Sequence, residues 1–65
     1  MSSSFPTRDM LTSGMIVVII EKHNQKSGEE SVGTVERILT RDGSHPHGIK
    51  VMLTDGRVGR VKRIA

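Results

Sequence analysis

Between Gly48 and Val61 the chain alternates apolar and polar positions. Ile49, Val51 and Leu53 interleave with Lys50, Met52 and Thr54, Asp55-Gly56 breaks the run, and Arg57-Val58-Gly59-Arg60-Val61 follows. A period of two marks a strand with one buried face, and Asp-Gly between two such runs marks a tight hairpin. The spacing predicts strands over 48–54 and 57–61, with arginines on the returning strand. Upstream, Met15–Lys22 carries the longest apolar run, Met15 to Ile20. Ile16, Val18 and Ile20 fall on one side of that strand, and Met15, Val17 and Ile19 on the other. Both sides need cover. The expectation is that Met15, Val17 and Ile19 form the outer one, met by the N-terminal turn or by a second chain.

The second strand is expected over Val32–Leu39. Val35 and Ile38 stand three apart, which breaks alternation and predicts a bulge near Glu36-Arg37. Val58, Val61 and Ile64 are also three apart, and here the expectation is one turn of 3₁₀ helix before a terminal stub over 62–64. His23–Glu30 and Thr40–Gly48 read as loops. Near the start, Pro6-Thr7 opens a short helical turn with Thr7 as its cap and Asp9 in its first turn. Met10 and Leu11 should dock that turn on the core, and Met1–Ser4 should be a disordered part of a tail over 1–6.

Four or five short strands and no long helix leave a wet apolar face unless the sheet rolls up. The expected fold is therefore all-β: a small open barrel of four to five strands over residues 7–65, with a short N-terminal helical turn. The order of Gly14, apolar strand, polar loop, Gly33-Thr34-Val35, loop, alternating strand and Asp-Gly turn resembles SH3-like barrels of the KOW type. The chain has 65 residues, enough for one domain, and no cysteine. Its stability must come from a small aliphatic core. Lack of cysteine, a polar start and no apolar run near the ~20 residues of a membrane span set the expectation of a cytoplasmic protein without leader or membrane association.

Charge changes the picture further. Residues 1–32 carry Arg8, Lys22 and Lys26 against Asp9, Glu21, Glu29 and Glu30, a net of −1. Residues 33–65 carry Arg37, Arg41, Lys50, Arg57, Arg60, Lys62 and Arg63 against Glu36, Asp42 and Asp55, a net of +4. A basic end on a small domain attracts polyanions. Lys50, Arg57, Arg60, Lys62 and Arg63 are the candidate nucleic-acid-binding residues. Phe5 is the only Phe, Tyr or Trp, so there is little on which to stack unpaired bases. Binding should then be directed at the backbone of folded RNA, in a ribosomal setting by analogy with KOW-like barrels. The same shortage argues against proline-rich and methyl-lysine ligands. Arg37 and Arg41 are expected to pair locally with Glu36 or Asp42.

The loop His45-Pro46-His47-Gly48 is a possible functional loop. Two imidazoles so close supply half a metal site, but no partner set has a recognisable spacing, so no metal or other cofactor is expected. The simpler expectation is that Pro46 and Gly48 shape the loop and the rings cap the barrel mouth. Adjacency of Ser44 and His45 makes no nucleophile–base pair, Asp42 and Asp55 are turn residues, and Gly56 and Gly59 sit on a hairpin rather than before a helix. No enzymatic activity is expected. The rival to nucleic-acid binding is a protein partner, or a homodimer in place of a monomer, using the apolar first strand or an open sheet edge.

His45-Pro46-His47-Gly48-Ile49-Lys50-Val51, with Asp55-Gly56 and Val58-Gly59-Arg60-Val61, resembles the YwbE-like family of small bacterial proteins. Gly14-Met15-Ile16-Val17, Gly33-Thr34-Val35 and Ile38-Leu39-Thr40 extend the resemblance over nearly all the chain beyond the tail. It implies a fold and no activity. Members carry a basic or glutamine-rich stretch after the first strand, which here reads Glu21-Lys22-His23-Asn24-Gln25-Lys26, with Glu29 and Glu30 weakening its positive charge.

Overall fold

The computed structural model describes residues 5–65; residues 1–4 of the tail expected over 1–6 lie outside them. Four antiparallel strands, β1 (Ile16–Glu21), β2 (Ser31–Ile38), β3 (Lys50–Leu53) and β4 (Val58–Ile64), pair in order and β4 closes back on β1. The fold is the small all-β, SH3-like barrel that the pattern predicts. The sheet closes fully, so the open edge expected as a pairing site is absent: each described strand has two neighbours. The helical content is two single 3₁₀ turns, Arg8–Met10 and Lys22–Asn24. No helix among the described residues is long and apolar enough to cross a membrane.

Irregularities in register explain the spacings of three. Val35 pairs with Leu53 and Arg37 with Met52, which leaves Glu36 as an extra residue on β2. That is the expected bulge, and it lets Val35 and Ile38 both face inward. On the other side, Ile19 pairs with Val61 and Val18 with Arg63, so Lys62 is extra on β4. A second bulge thus replaces the expected 3₁₀ turn, and β4 runs unbroken to Ile64. A bulge resolves the same spacing while keeping most ladder hydrogen bonds.

The core is aliphatic: Leu11, Val17, Ile19, Val35, Ile49, Val51, Leu53 and Val61, with Met15 and Ile38 packed against it. Each such buried side chain contributes roughly 1.5–3 kcal/mol, well above any surface ion pair. The expected faces of β1 are reversed. Met15, Val17 and Ile19 face the core, and Ile16, Val18 and Ile20 face outward, with Ile16 exposed. Both sides are equally apolar, so periodicity could not choose between them; pairing of Ile19 with inward Val61 does. Leu11 enters the core, whereas Met10 is exposed. Arg8 also holds the N-terminal turn, its backbone N–H donating to Gly43 O (2.8 Å) and its Nε to Thr40 O (3.0 Å). Thr7 caps by position only, its hydroxyl donating to the Asp9 carboxylate and not to a helix N–H.

A candidate polyanion-binding groove

Lys50 and Arg60 are direct partners across β3 and β4, and Ile20 pairs with Arg60 on the other side. Directly paired residues share a face of the sheet. Because Val51 and Val61 point inward, Lys50 and Arg60 must point out. The chain leaves β1 through the Lys22–Asn24 turn, which sets Lys22 and Gln25 beside this row. His47 reaches the same place from the loop before β3. Two adjoining depressions result, of about 110 and 210 Å³. Gln25, His47 and Arg60 line both; Lys62 lines the first, and Lys22 and Lys50 the second. Neither has a carboxylate in its lining. Each is smaller than the ~300 Å³ at which small-molecule pockets begin.

The histidine loop is fixed from below. Gly48 has φ +97°, and a Cβ there would lie 2.5 Å from Val61 O. Only glycine serves where the backbone is both left-handed and this close to a neighbouring strand. Gly48 N–H donates to His45 O (3.0 Å), closing a turn around Pro46-His47, and the His47 N–H donates to His45 Nδ1 (3.1 Å). Arg60 Nη1 donates to Gly48 O (3.1 Å), which ties the loop to β4. The rings were expected to cap the barrel mouth. His47 instead stands on the groove wall, with its ring 5.8 Å from that of His45.

The predicted stripe of five cations divides. Lys50, Arg60 and Lys62 reach the groove; Arg57 and Arg63 do not. Arg57 Nε pairs with Asp55 Oδ2 (2.8 Å), and its Nη2 donates to Val32 O (3.0 Å), clamping the hairpin turn onto β2. Asp55 has the turn role expected of it: the Arg57 N–H donates to Oδ1, and this bond, with the guanidinium, holds its carboxyl below the usual range. Arg63 donates two hydrogen bonds to Glu30, at 2.9 and 2.8 Å. That pairing lowers the Glu30 carboxyl and raises Arg63. Glu30 therefore discharges Arg63 rather than the basic stretch after β1. Arg37 and Arg41 form no ion pair among the described residues, against expectation.

Lys62, pushed out by the β4 bulge, also borders a wider depression of about 370 Å³ lined by Phe5, Pro6, Met10 and Ile64 among others. Its Nζ lies 4.1 Å from the centre of the Phe5 ring, a cation–π contact that fixes the lysine between the two sites. So Phe5 and Pro6, expected in the tail, pack on the barrel. Among the described residues no three His, Asp or Glu side chains gather as a metal ion would require.

Lys22 and Gln25 escaped the sequence reading because their place depends on a 3₁₀ turn inside a run that looked like plain loop. The available signal was the run Lys22-His23-Asn24-Gln25-Lys26 directly after the first strand. Chemically, the groove offers four cations and two further hydrogen-bonding side chains at the surface, a set suited to phosphate oxygens.

Residues 4–64 match the family described as "Uncharacterized conserved protein (DUF2196)". The chain is 49% identical over 57 residues to the "Uncharacterized protein YwbE" of Bacillus subtilis (strain 168), covering 88% of each chain. No solved structure matches it. With the family model matched over nearly the whole chain and a relative this similar along most of its length, the chain belongs to the DUF2196 family of YwbE-like proteins.

Proposed function

We propose that the chain is a non-enzymatic binding module whose groove takes the phosphate backbone of folded nucleic acid, with folded or ribosomal RNA as the partner class. One observation carries this reading: Lys22 from the turn after β1, Lys50 from β3, and Arg60 and Lys62 from β4 line two adjoining depressions with no carboxylate in their lining. Like charges gathered this way repel one another, and a polyanion relieves that repulsion while releasing its own counterions. Affinity is weak, sequence-tolerant and salt-sensitive. Fluorescence anisotropy of a labelled RNA hairpin at low salt tests it. Lys50→Glu combined with Lys22→Glu should abolish binding, and retention of wild-type affinity by that variant would overturn the reading.

A second reading, self-association, rests on Ile16 and Val32, which are 53% and 57% exposed on the neighbouring strands β1 and β2. It no longer involves Met15, Val17 and Ile19, which are in the core, or an open sheet edge. Sedimentation equilibrium separates the readings: a dimer dispersed by Val32→Lys favours this one, and a monomer at all concentrations removes it.

A further inference from the structure

Phosphate contacts position a protein on nucleic acid but carry no information about which nucleic acid it is. The groove holds two side chains of another kind. Gln25 and His47 each line both depressions, between the cations. Both are exposed, and neither side chain hydrogen-bonds within the described residues. Their backbones, by contrast, are tied. Gln25 N–H donates to Lys22 O (3.3 Å), and His47 sits in the turn held by His45, Gly48 and Arg60. Each is thus a free donor-and-acceptor group on a fixed stem, which lowers the ordering cost of a new contact.

The group best matched to such a pair beside a phosphate is the ribose 2′-hydroxyl, itself both donor and acceptor and displayed along the accessible minor groove of A-form RNA. We infer that Gln25 and His47 are the discriminating residues of the groove, reading the 2′-hydroxyl and so selecting RNA over DNA, while the four cations supply affinity without selection. This rests on the backbone-binding reading above and adds a ligand feature to it. Base edges in the major groove are a poorer match, because that groove is too narrow for side chains to enter.

The test compares one RNA hairpin with the same sequence carrying 2′-fluoro sugars, which keep the A-form but remove the hydroxyl donor. Wild type should bind the hydroxyl form about fivefold more tightly, the effect of one or two hydrogen bonds. Gln25→Ala and His47→Ala should each shrink that ratio toward one by weakening the hydroxyl form alone. Both positions are exposed, and matching thermal melts of the variants confirm an intact barrel. Equal wild-type affinity for the two hairpins, or an unchanged ratio in both variants, overturns the inference while leaving backbone binding standing. Failure to bind either hairpin overturns both.

Discussion

Arg63 reaches over β1 to Glu30 with two parallel hydrogen bonds of 2.9 and 2.8 Å. In register, Val18 lies beneath this bridge, paired with Arg63 on one side and Val32 on the other, and it is buried despite facing outward. The guanidinium covers an apolar side chain and spends its charge on a carboxylate. Arg63→Ala should therefore leave RNA affinity within about twofold of wild type, since the net charge near Glu30 changes but no groove contact is lost. Arg57→Ala should behave likewise in binding. Anisotropy titrations of the two variants check this directly.

The same bridge has a pH signature. Glu30 is lowered chiefly by the Arg63 hydrogen bonds. A carboxyl lowered in the folded state contributes stability above its unfolded value and loses that contribution as pH falls through the folded one. Asp55, lowered first by the Arg57 N–H, adds in the same sense. Stability should thus decline on acidification below the ordinary carboxylate range. Side-chain carbon NMR titration should place Glu30 below that range in wild type and back within it in Arg63→Ala.

Gly48→Ala should destabilise the barrel by about 1–3 kcal/mol, from strain at positive φ and a clash with Val61 O. It should also broaden the His47 resonances, because the turn that carries the ring is lost. Gly59→Ala should cost at least as much, since its Cβ would lie 2.6 Å from Ile20 O and 2.9 Å from Ile19 Cδ1. Chemical denaturation of both variants gives the comparison.

Orientation of β1 has its own test. Ile19→Ala removes a fully buried side chain and should cost about 2–5 kcal/mol, whereas exposed Ile16→Ala should fall within about 0.5 kcal/mol of wild type. A larger loss at Ile16 than at Ile19 would mean that the strand is flipped.

These contrasts mark what the sequence could express. The hairpin, the Glu36 bulge and the barrel class follow from local alternation and its one defect between Val35 and Ile38, so they were legible. The side of β1 that faces inward was not, because Val17 and Val18 are chemically alike and only pairing with Val61 and Arg63 distinguishes them. Charge was legible as composition but not as placement. Arg60 and Arg63 lie three residues apart, yet the Lys62 bulge and Glu30 send them to different tasks. Lys22 joins the site only because a 3₁₀ turn folds it back beside β4.

The most direct measurement is the salt dependence of RNA binding in wild type, Arg60→Ala, Lys50→Ala and Arg63→Ala. Four phosphate contacts predict a log–log slope of about −3.6 for wild type, reduced by about one unit in each of the first two variants and unchanged in the third. A slope that flattens for Arg63→Ala and stays at the wild-type value for Arg60→Ala and Lys50→Ala would contradict the assignment of the groove.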